Sequence, residues 1–300
     1  MRSLIPLLLA GVLTSGLATA QYGGREDDVV IYVFNAKGNP DPVVVAAGTG
    51  SATGGFEIKD PLTIPPTPFG PDFPAESFVN LHNEVGDNFR FVIQKEDLLI
   101  PTNEFLGPGK VLIIKGIVRL LIPNKEPIDL TAGLYAPFPV GTDFGPELPI
   151  LEANSFLWTP VPFFPLIAKR PDGFIGPGNP SGKTGSEFVL DIGSFLGIIR
   201  WQALEFLYGP SWAQGIDFRM IERDTQLGSS ARVLRLRPGR TTPPFVIRAN
   251  THLAVLSGRV NITPAGGQSR TLTAKQYAFV PNGLSIILSN PKTYSGPTAQ

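Results

Sequence analysis

Leu130-Thr131-Ala132-Gly133-Leu134-Tyr135-Ala136-Pro137-Phe138-Pro139-Val140-Gly141 is echoed 142 residues later by Leu272-Thr273-Ala274-Lys275-Gln276-Tyr277-Ala278-Phe279-Val280-Pro281-Asn282-Gly283. The frame holds without a gap well outside this stretch, so that Gly86–Gly141 lies on Gly228–Gly283. Gly116 falls on Gly258, Val118 on Val260, Pro101 on Pro243 and Arg90 on Arg232. A unit of this length can bury its own core, which makes the chain a duplicated domain and not a solenoid. A metal or catalytic site shared by both copies would leave ionisable residues at matching places. Here those places are nearly empty.

The chain has 300 residues, which suits two domains. Its charge balances at net zero, and nothing in it calls for nucleic acid or an anionic surface. Glycine and proline number 33 and 31, enough to punctuate many short apolar runs with turns, as in all-β proteins. Arg2, the apolar run Leu4–Leu13 and the small residues Ala18-Thr19-Ala20 read as a secretory signal peptide cleaved after Ala20. That run is too short to span a bilayer, no later segment qualifies, and an exported protein is expected. There is no cysteine, so the cores rest on packing, without disulfides or thiolate chemistry. Asn261-Ile262-Thr263 is a glycosylation sequon that matters only in a eukaryotic host.

Along the chain, Val29–Phe34 reads as a strand, Gly48–Gly55 as a flexible loop, and residues 61–75 as a Pro-rich excursion. Val111–Ile122 is a dense β-branched run closed by a Pro123-Asn124-Lys125 turn. Residues 142–185 are rich in Pro, Gly and Phe. Gly193–Tyr208 carries Leu196, Ile199, Ala203, Phe206 and Leu207 at helical spacing, with Ser194 as N-cap and Gly209-Pro210 as stop, which predicts a helix. The second copy then runs in short strands: Arg232–Arg237, Phe245–Leu256, Arg259–Ile262, Tyr277–Val280 and Ser285–Leu288.

The turn residues of both copies have a spacing that resembles the cupin superfamily. Its first signature is Gly, five residues, His-x-His, three or four residues, Glu, six residues, Gly. The second is Gly, five residues, Pro-x-Gly, two residues, His, three residues, Asn. The second copy reads Gly239, Phe245, Ile247, Thr251, Gly258, then Lys275, Pro281, Gly283, Ile286, Asn290. The first reads Asp97, Asn103, Phe105, Gly109, Gly116, then Gly133, Pro139, Gly141, Phe144, Leu148. The resemblance implies an all-β chain of two tandem cupin barrels (double-stranded β-helix or jelly-roll), most similar to the quercetin-dioxygenase-type bicupins. The expected division is a signal peptide over 1–20, a barrel over 21–150, a connecting segment with one helix over 151–215 and a second barrel over 216–300.

In the family the His and Glu of these signatures converge on a metal. Here the four ligand positions hold Asn103, Phe105, Gly109 and Phe144 in one barrel and Phe245, Ile247, Thr251 and Ile286 in the other. Only the Asn103 amide oxygen is even a weak donor, so no metal, no cofactor and no dioxygenase chemistry are expected. The two histidines stand elsewhere. His252 follows Thr251 on a strand and points to the opposite face, as a surface or interdomain residue. His82 and Glu84 share a strand face, but no third donor is visible. Arg235 and Arg237 alternate with Leu234 and Leu236; turned inward they would grip a carboxylate or phosphate, turned outward they form a solvated face. Tyr135 and Tyr277 recur as packed strand tyrosines. Trp201, Tyr208 and Trp212 cluster by the expected helix. Ser181-Gly182-Lys183-Thr184 lacks the frame of a phosphate loop.

An interior lined by Phe and Ile either packs shut or holds an apolar or aromatic small molecule. The expected pocket residues are Asn103, Phe105, Phe144, Arg235, Phe245, Ile247, Thr251 and Ile286. The expected function is non-catalytic binding or scaffolding. The alternatives are a metal-independent isomerase or epimerase, with Tyr135, Tyr277, Arg235, His82 and Glu84 as scattered acid–base groups, and a quercetin-dioxygenase-like oxidoreductase with ligands outside the signatures. Monomer and homodimer are both open.

Overall fold

The computed structural model describes residues 25, 27–38, 55–71, 73, 75–101, 103–105, 107–121, 127–138, 142–144, 146–160, 167–169, 190–191, 201–204, 209, 212 and 215–292. The expected signal peptide lies outside these residues. Two compact units form. One, the N-barrel, is Asp60–Ile192; the other, the C-barrel, joins Met1–Lys59 to Gly193–Gln300. No described helix is long and apolar enough to cross a membrane.

The strands run β1 (Val29–Gly38), β2 (Glu57–Lys59), β3 (Thr67–Pro68), β4 (Glu76–Glu84), β5 (Asp87–Gln94), β6 (Asn103–Phe105), β7 (Gly109–Leu120) and β8 (Ile128–Thr131). They continue with β9 (Leu134–Phe138), β10 (Thr142–Phe144), β11 (Glu147–Thr159), β12 (Ile167–Lys169), β13 (Leu190–Asp191), β14 (Gln202–Ala203) and β15 (Ile216–Asp224). The last are β16 (Ser229–Leu236), β17 (Phe245–Val246), β18 (Ala249–Ser257), β19 (Arg259–Pro264), β20 (Arg270–Thr273), β21 (Tyr277–Val280) and β22 (Ser285–Ser289). The N-barrel pairs a sheet of order β13-β9-β7-β11-β5-β4-β3, with β8 on β7, with a sheet β10-β6-β12. The C-barrel pairs β14-β15-β16-β1-β18-β21-β2 with β17-β22-β19-β20.

The duplication is written into strand register. Lys110 opposes Pro137 and Leu112 opposes Tyr135; 142 residues on, His252 opposes Phe279 and Ala254 opposes Tyr277. Val118 opposes Leu130 as Val260 opposes Leu272. Positive φ is kept where the signatures place glycine, even where glycine is gone: Asp97 (59°) matches Gly239 (70°), and Lys275 (74°) matches Gly133 (93°). These turns need that backbone whatever the side chain.

Two expectations change. The expected boundaries at 150 and 216 put β1 in the first barrel, but β1 lies in the C-barrel between β16 and β18. In the N-barrel the same slot, between β5 and β7, is filled by β11. One barrel therefore takes its closing strand from before the repeat and the other from after it. The slot asks only for an extended segment with alternating apolar residues, which leaves no repeat in sequence. The expected helix over Gly193–Tyr208 is interrupted: Gln202–Ala203 form β14 against Phe218 and Asp217. Residues 193–200 and 205–208 fall outside the described residues.

The repeated glycines explain themselves at the closing strand. A Cβ on Gly116 would meet the Glu152 carbonyl oxygen at 2.3 Å, and one on Gly258 would meet the Asp28 carbonyl oxygen at 2.9 Å. Gly116 lies within β7 and Gly258 between β18 and β19, each where the closing segment crosses closely. The signature residue Asn290 pins the same strand in the C-barrel, donating to the carbonyls of Asp27 and Leu236. Inside that barrel Val29, Ile31 and Val33 of β1 pack with Leu234, Leu253 and Val255.

Candidate functional site

The signature positions come together as pairs. Phe245 of β17 opposes Ile286 of β22, and Asn103 of β6 opposes Phe144 of β10 in the same register. Two positions far apart in sequence thus face each other across one strand pair in each barrel. The side chains of Asn103, Phe105 and Phe144 fall outside the described residues.

In the C-barrel, Phe245, Ile247, Thr251 and Ile286 line one cavity of about 60 Å3. Trp212 and Phe218 add to its wall, and the Trp212 and Phe245 rings lie 5.5 Å apart. Ile247 and Ile286 are buried, while Phe245 is partly exposed and packs against the core from one side. Thr251 is the only one of the four with a heteroatom in its side chain. Its hydroxyl is already engaged: it accepts from Asn35 Nδ2 at 2.7 Å and donates to the Ala249 carbonyl at 2.9 Å. The residues at these positions do not fit a transition metal, because three are hydrocarbon and the fourth spends its oxygen on the protein.

Both strands that flank β1 contribute a polar row at one end of the cavity. Ser230 of β16, Asn35 of β1 and Thr251 of β18 stand side by side in register. The Ser230 hydroxyl donates to Asn35 Oδ1 at 3.3 Å. One row inward, Arg232 lines the cavity and donates from Nη2 to Ser230 Oγ at 3.2 Å. The N-barrel repeats this end: Arg90 is buried, donates from Nε to Asn80 Oδ1 at 3.0 Å, and lies over the Phe78 ring at 5.5 Å. Burial pulls the Arg90 guanidinium down to about 10. Asn88 and Thr159 occupy the places of Ser230 and Asn35, linked from Asn88 Nδ2 to the Thr159 carbonyl at 3.4 Å. Identity of Arg90 and Arg232 under the 142-residue frame was the available signal for these arginines.

Arg235 is not in the cavity. It lies on the opposite face of β16, where Nε and Nη2 reach Asp217 Oδ2 at 3.0 and 2.6 Å and the guanidinium covers the Trp201 ring at 4.2 Å. Alternation on β16 gives the interior to Arg232 and Leu234 instead. Arg237 also turns outward, half exposed, at 3.8 Å from the same carboxylate. His252 points away from the cavity, but into an enclosed aromatic layer and not to solvent: its Nδ1 is 2.7 Å from Tyr277 Oη, and Phe34 and Phe279 flank the ring. His82 gains Asp87 as a neighbour, with Nε2 at 3.7 Å from Asp87 Oδ2 and 3.6 Å from Glu84 Oε2. Asp87 meanwhile accepts from Trp158 Nε1 at 2.9 Å. Among the described residues no three His, Cys, Asp or Glu side chains gather as a metal site.

One buried ionisable pair escaped the sequence. Gln94 Nε2 donates to Glu76 Oε1 at 3.0 Å and to Glu147 Oε2 at 2.9 Å at the edge of the N-barrel. Burial raises Glu76 to about 7; burial and then the Glu76 charge raise Glu147 to about 8. In the C-barrel the positions in register with Glu76 and Gln94 are Ile216 and Leu236. The fold therefore does not require these polar groups.

Comparison with solved structures places this architecture. A "putative dioxygenase" from Nostoc punctiforme superposes with a TM-score of 0.57 at 14% identity, covering 93% of this chain and 94% of that one. The chain has the two-barrel cupin fold. A "putative glyoxylate induced protein" from Pseudomonas aeruginosa superposes over 86% of this chain and 92% of that one, with a TM-score of 0.55 at 10% identity. A cupin 2 conserved barrel domain protein from Leptotrichia buccalis matches over 73% and 84% at 10% identity and a TM-score of 0.42. No family model and no curated protein sequence matches the chain.

Proposed function

We propose that this bicupin is an exported, non-catalytic protein whose C-barrel holds a small apolar molecule. The observation that carries the reading is the convergence of Phe245, Ile247 and Ile286 on a cavity of about 60 Å3 at the positions that would hold a metal in the family. Hydrocarbon at those positions removes the cost of burying ligand charges and leaves a surface that attracts only apolar groups. A void with a mostly hydrocarbon wall takes up small apolar guests. Its volume is under half of the roughly 150 Å3 that accommodates benzene in an engineered cavity. A compact aliphatic guest is thus favoured over an aromatic one unless Phe245, which is partly exposed, swings aside. The acid–base alternative lacks support in the same cavity, whose described wall carries no Tyr, His, Asp or Glu. The name of the Nostoc protein suggests oxygen chemistry, but at 14% identity the likeness extends to the fold alone.

The test is xenon uptake followed by NMR, together with elemental analysis of the purified protein. Xenon-induced shifts of the Ile247, Leu253 and Ile286 methyls, without a stoichiometric transition metal, are the expected result. Methyl signals that ignore xenon, or a tightly bound metal at one ion per barrel, would overturn the reading.

A further inference from the structure

Three strand ends of the N-barrel meet at one point. Glu76 opens β4 and lies directly opposite Gln94, which closes β5. Glu147 opens β11 and is tied to Ile100 by a pair of backbone hydrogen bonds. We propose that Glu76, Gln94 and Glu147 form a calcium site that braces these strand ends. None of the three is a signature position, so the site is separate from the C-barrel cavity and its fate does not decide the apolar reading above.

The carboxylates are enclosed and have no countercharge. Glu76 is 7% exposed and Glu147 4%. Both side chains meet the Gln94 amide, and among the described residues neither has a Lys, Arg or His partner. Glu76 Oε2 is buried with no hydrogen-bond partner. An orphaned carboxylate oxygen in such a place is costly unless a cation meets it. Burial and mutual repulsion both disfavour ionising the pair without one. The spacing suits an oxygen-ligated ion. Gln94 Nε2 stands 3.0 Å from Glu76 Oε1 and 2.9 Å from Glu147 Oε2. A half-turn of the amide puts its oxygen there instead, and oxygens about 3 Å apart are neighbours on one ion that binds them at roughly 2.3–2.6 Å. The two carboxylates and the amide then offer five oxygens, with water completing the shell on the side where Gln94 is partly exposed. Calcium accepts such an irregular shell, whereas magnesium needs near-ideal octahedral geometry and gives up its water reluctantly. The other barrel shows the same fold without the charges: the equivalent places hold Ile216, Leu236 and Ser289. In a chain with no cysteine, an ion that ties three strand ends does the bracing that a disulfide does elsewhere.

The experiment is a calcium titration of the full chain after chelator treatment, at about pH 8, read by NMR and by thermal melting. CaCl2 should shift the Gln94 side-chain amide signals with a Kd of roughly 0.1–1 mM, the range of extracellular calcium modules. At about 10 mM it should raise the melting temperature of the N-barrel by several degrees, as a ligand of the native state does. Glu76→Gln and Glu147→Gln each remove one ligand charge and should weaken calcium binding at least about tenfold. MgCl2 should act at least about tenfold more weakly than CaCl2. Gln94 amide signals that ignore calcium up to about 10 mM would overturn the proposal. An equal effect from MgCl2, or from NaCl at matched ionic strength, would overturn it as well, by showing screening in place of a site. A calcium response that survives unchanged in both variants would overturn it by placing the ion elsewhere. The Gln94 signals are those of the native chain, so they decide the matter even if a variant does not fold.

Discussion

Phe245 opposes Ile286 across two antiparallel strands, and both side chains face one cavity. Phe245 is partly exposed, so its ring is a movable wall more than a core plug. Phe245→Ala should cost less than the roughly 3–5 kcal/mol of a fully buried Phe→Ala change. It should also enlarge the cavity enough to admit benzene. Urea melts and benzene titration check both; a loss at or above that range without benzene binding would mean that the ring is packed core.

Gly116 and Gly258 hold φ of 84° and 79° against the backbone of the closing strand. Alanine at either place combines strained backbone with a contact that only backbone movement relieves. Gly116→Ala, with its oxygen contact at 2.3 Å, should destabilise more than Gly258→Ala, at 2.9 Å. About 2–4 kcal/mol is expected for the former, measured by chemical denaturation. Equal, negligible losses would show that β11 and β1 do not cross these glycines closely.

Lys275 adopts a φ of 74° where the matching residue of the N-barrel is Gly133, and each donates its N–H to the equivalent carbonyl, Val255 or Ile113. Lys275→Gly should therefore stabilise the C-barrel, by about 0.5–1 kcal/mol. The gain is the relieved strain less the extra freedom that glycine gives the unfolded chain. A lower melting temperature in this variant would contradict the shared turn geometry.

Glu76 and Glu147 are raised above their unfolded value of 4.5, to about 7 and about 8. Native protein then binds more protons than unfolded protein between those values. Their contribution to stability is complete below about pH 4.5 and is lost as pH rises through 7 and 8. The N-barrel should melt several degrees lower at pH 9 than at pH 5. Glu147→Gln keeps the contact with Gln94 but cannot ionise, so it should flatten that dependence and melt above the native protein at pH 9. A native melting temperature that does not change from pH 5 to pH 9 would show that neither carboxyl is buried as described.

The readable part of the site was its signature spacing. Phe245, Ile247, Thr251 and Ile286 were found by a ruler of turn residues, and the structure brings these four to one cavity. Arg235 was named and lies on the other face of its strand. The choice between Arg235 and Arg232 is a matter of strand phase, which a one-residue slip reverses. The Glu76–Gln94–Glu147 contact was not readable because its members come from three strands and obey no spacing. His252 was given its direction by alternation along β18, but not its burial, which depends on what packs over that face.

Sequence alone determined the duplication, the cupin-like spacing and the turns that keep positive φ, because each is a local demand of the backbone that few residue types meet. Tertiary structure alone decided that β1 and β11 close the two barrels, that Arg232 rather than Arg235 looks inward, and that two glutamates share one amide. Those outcomes depend on which extended segment pairs with which, and long-range pairing places no restriction on residue type strong enough to read in advance.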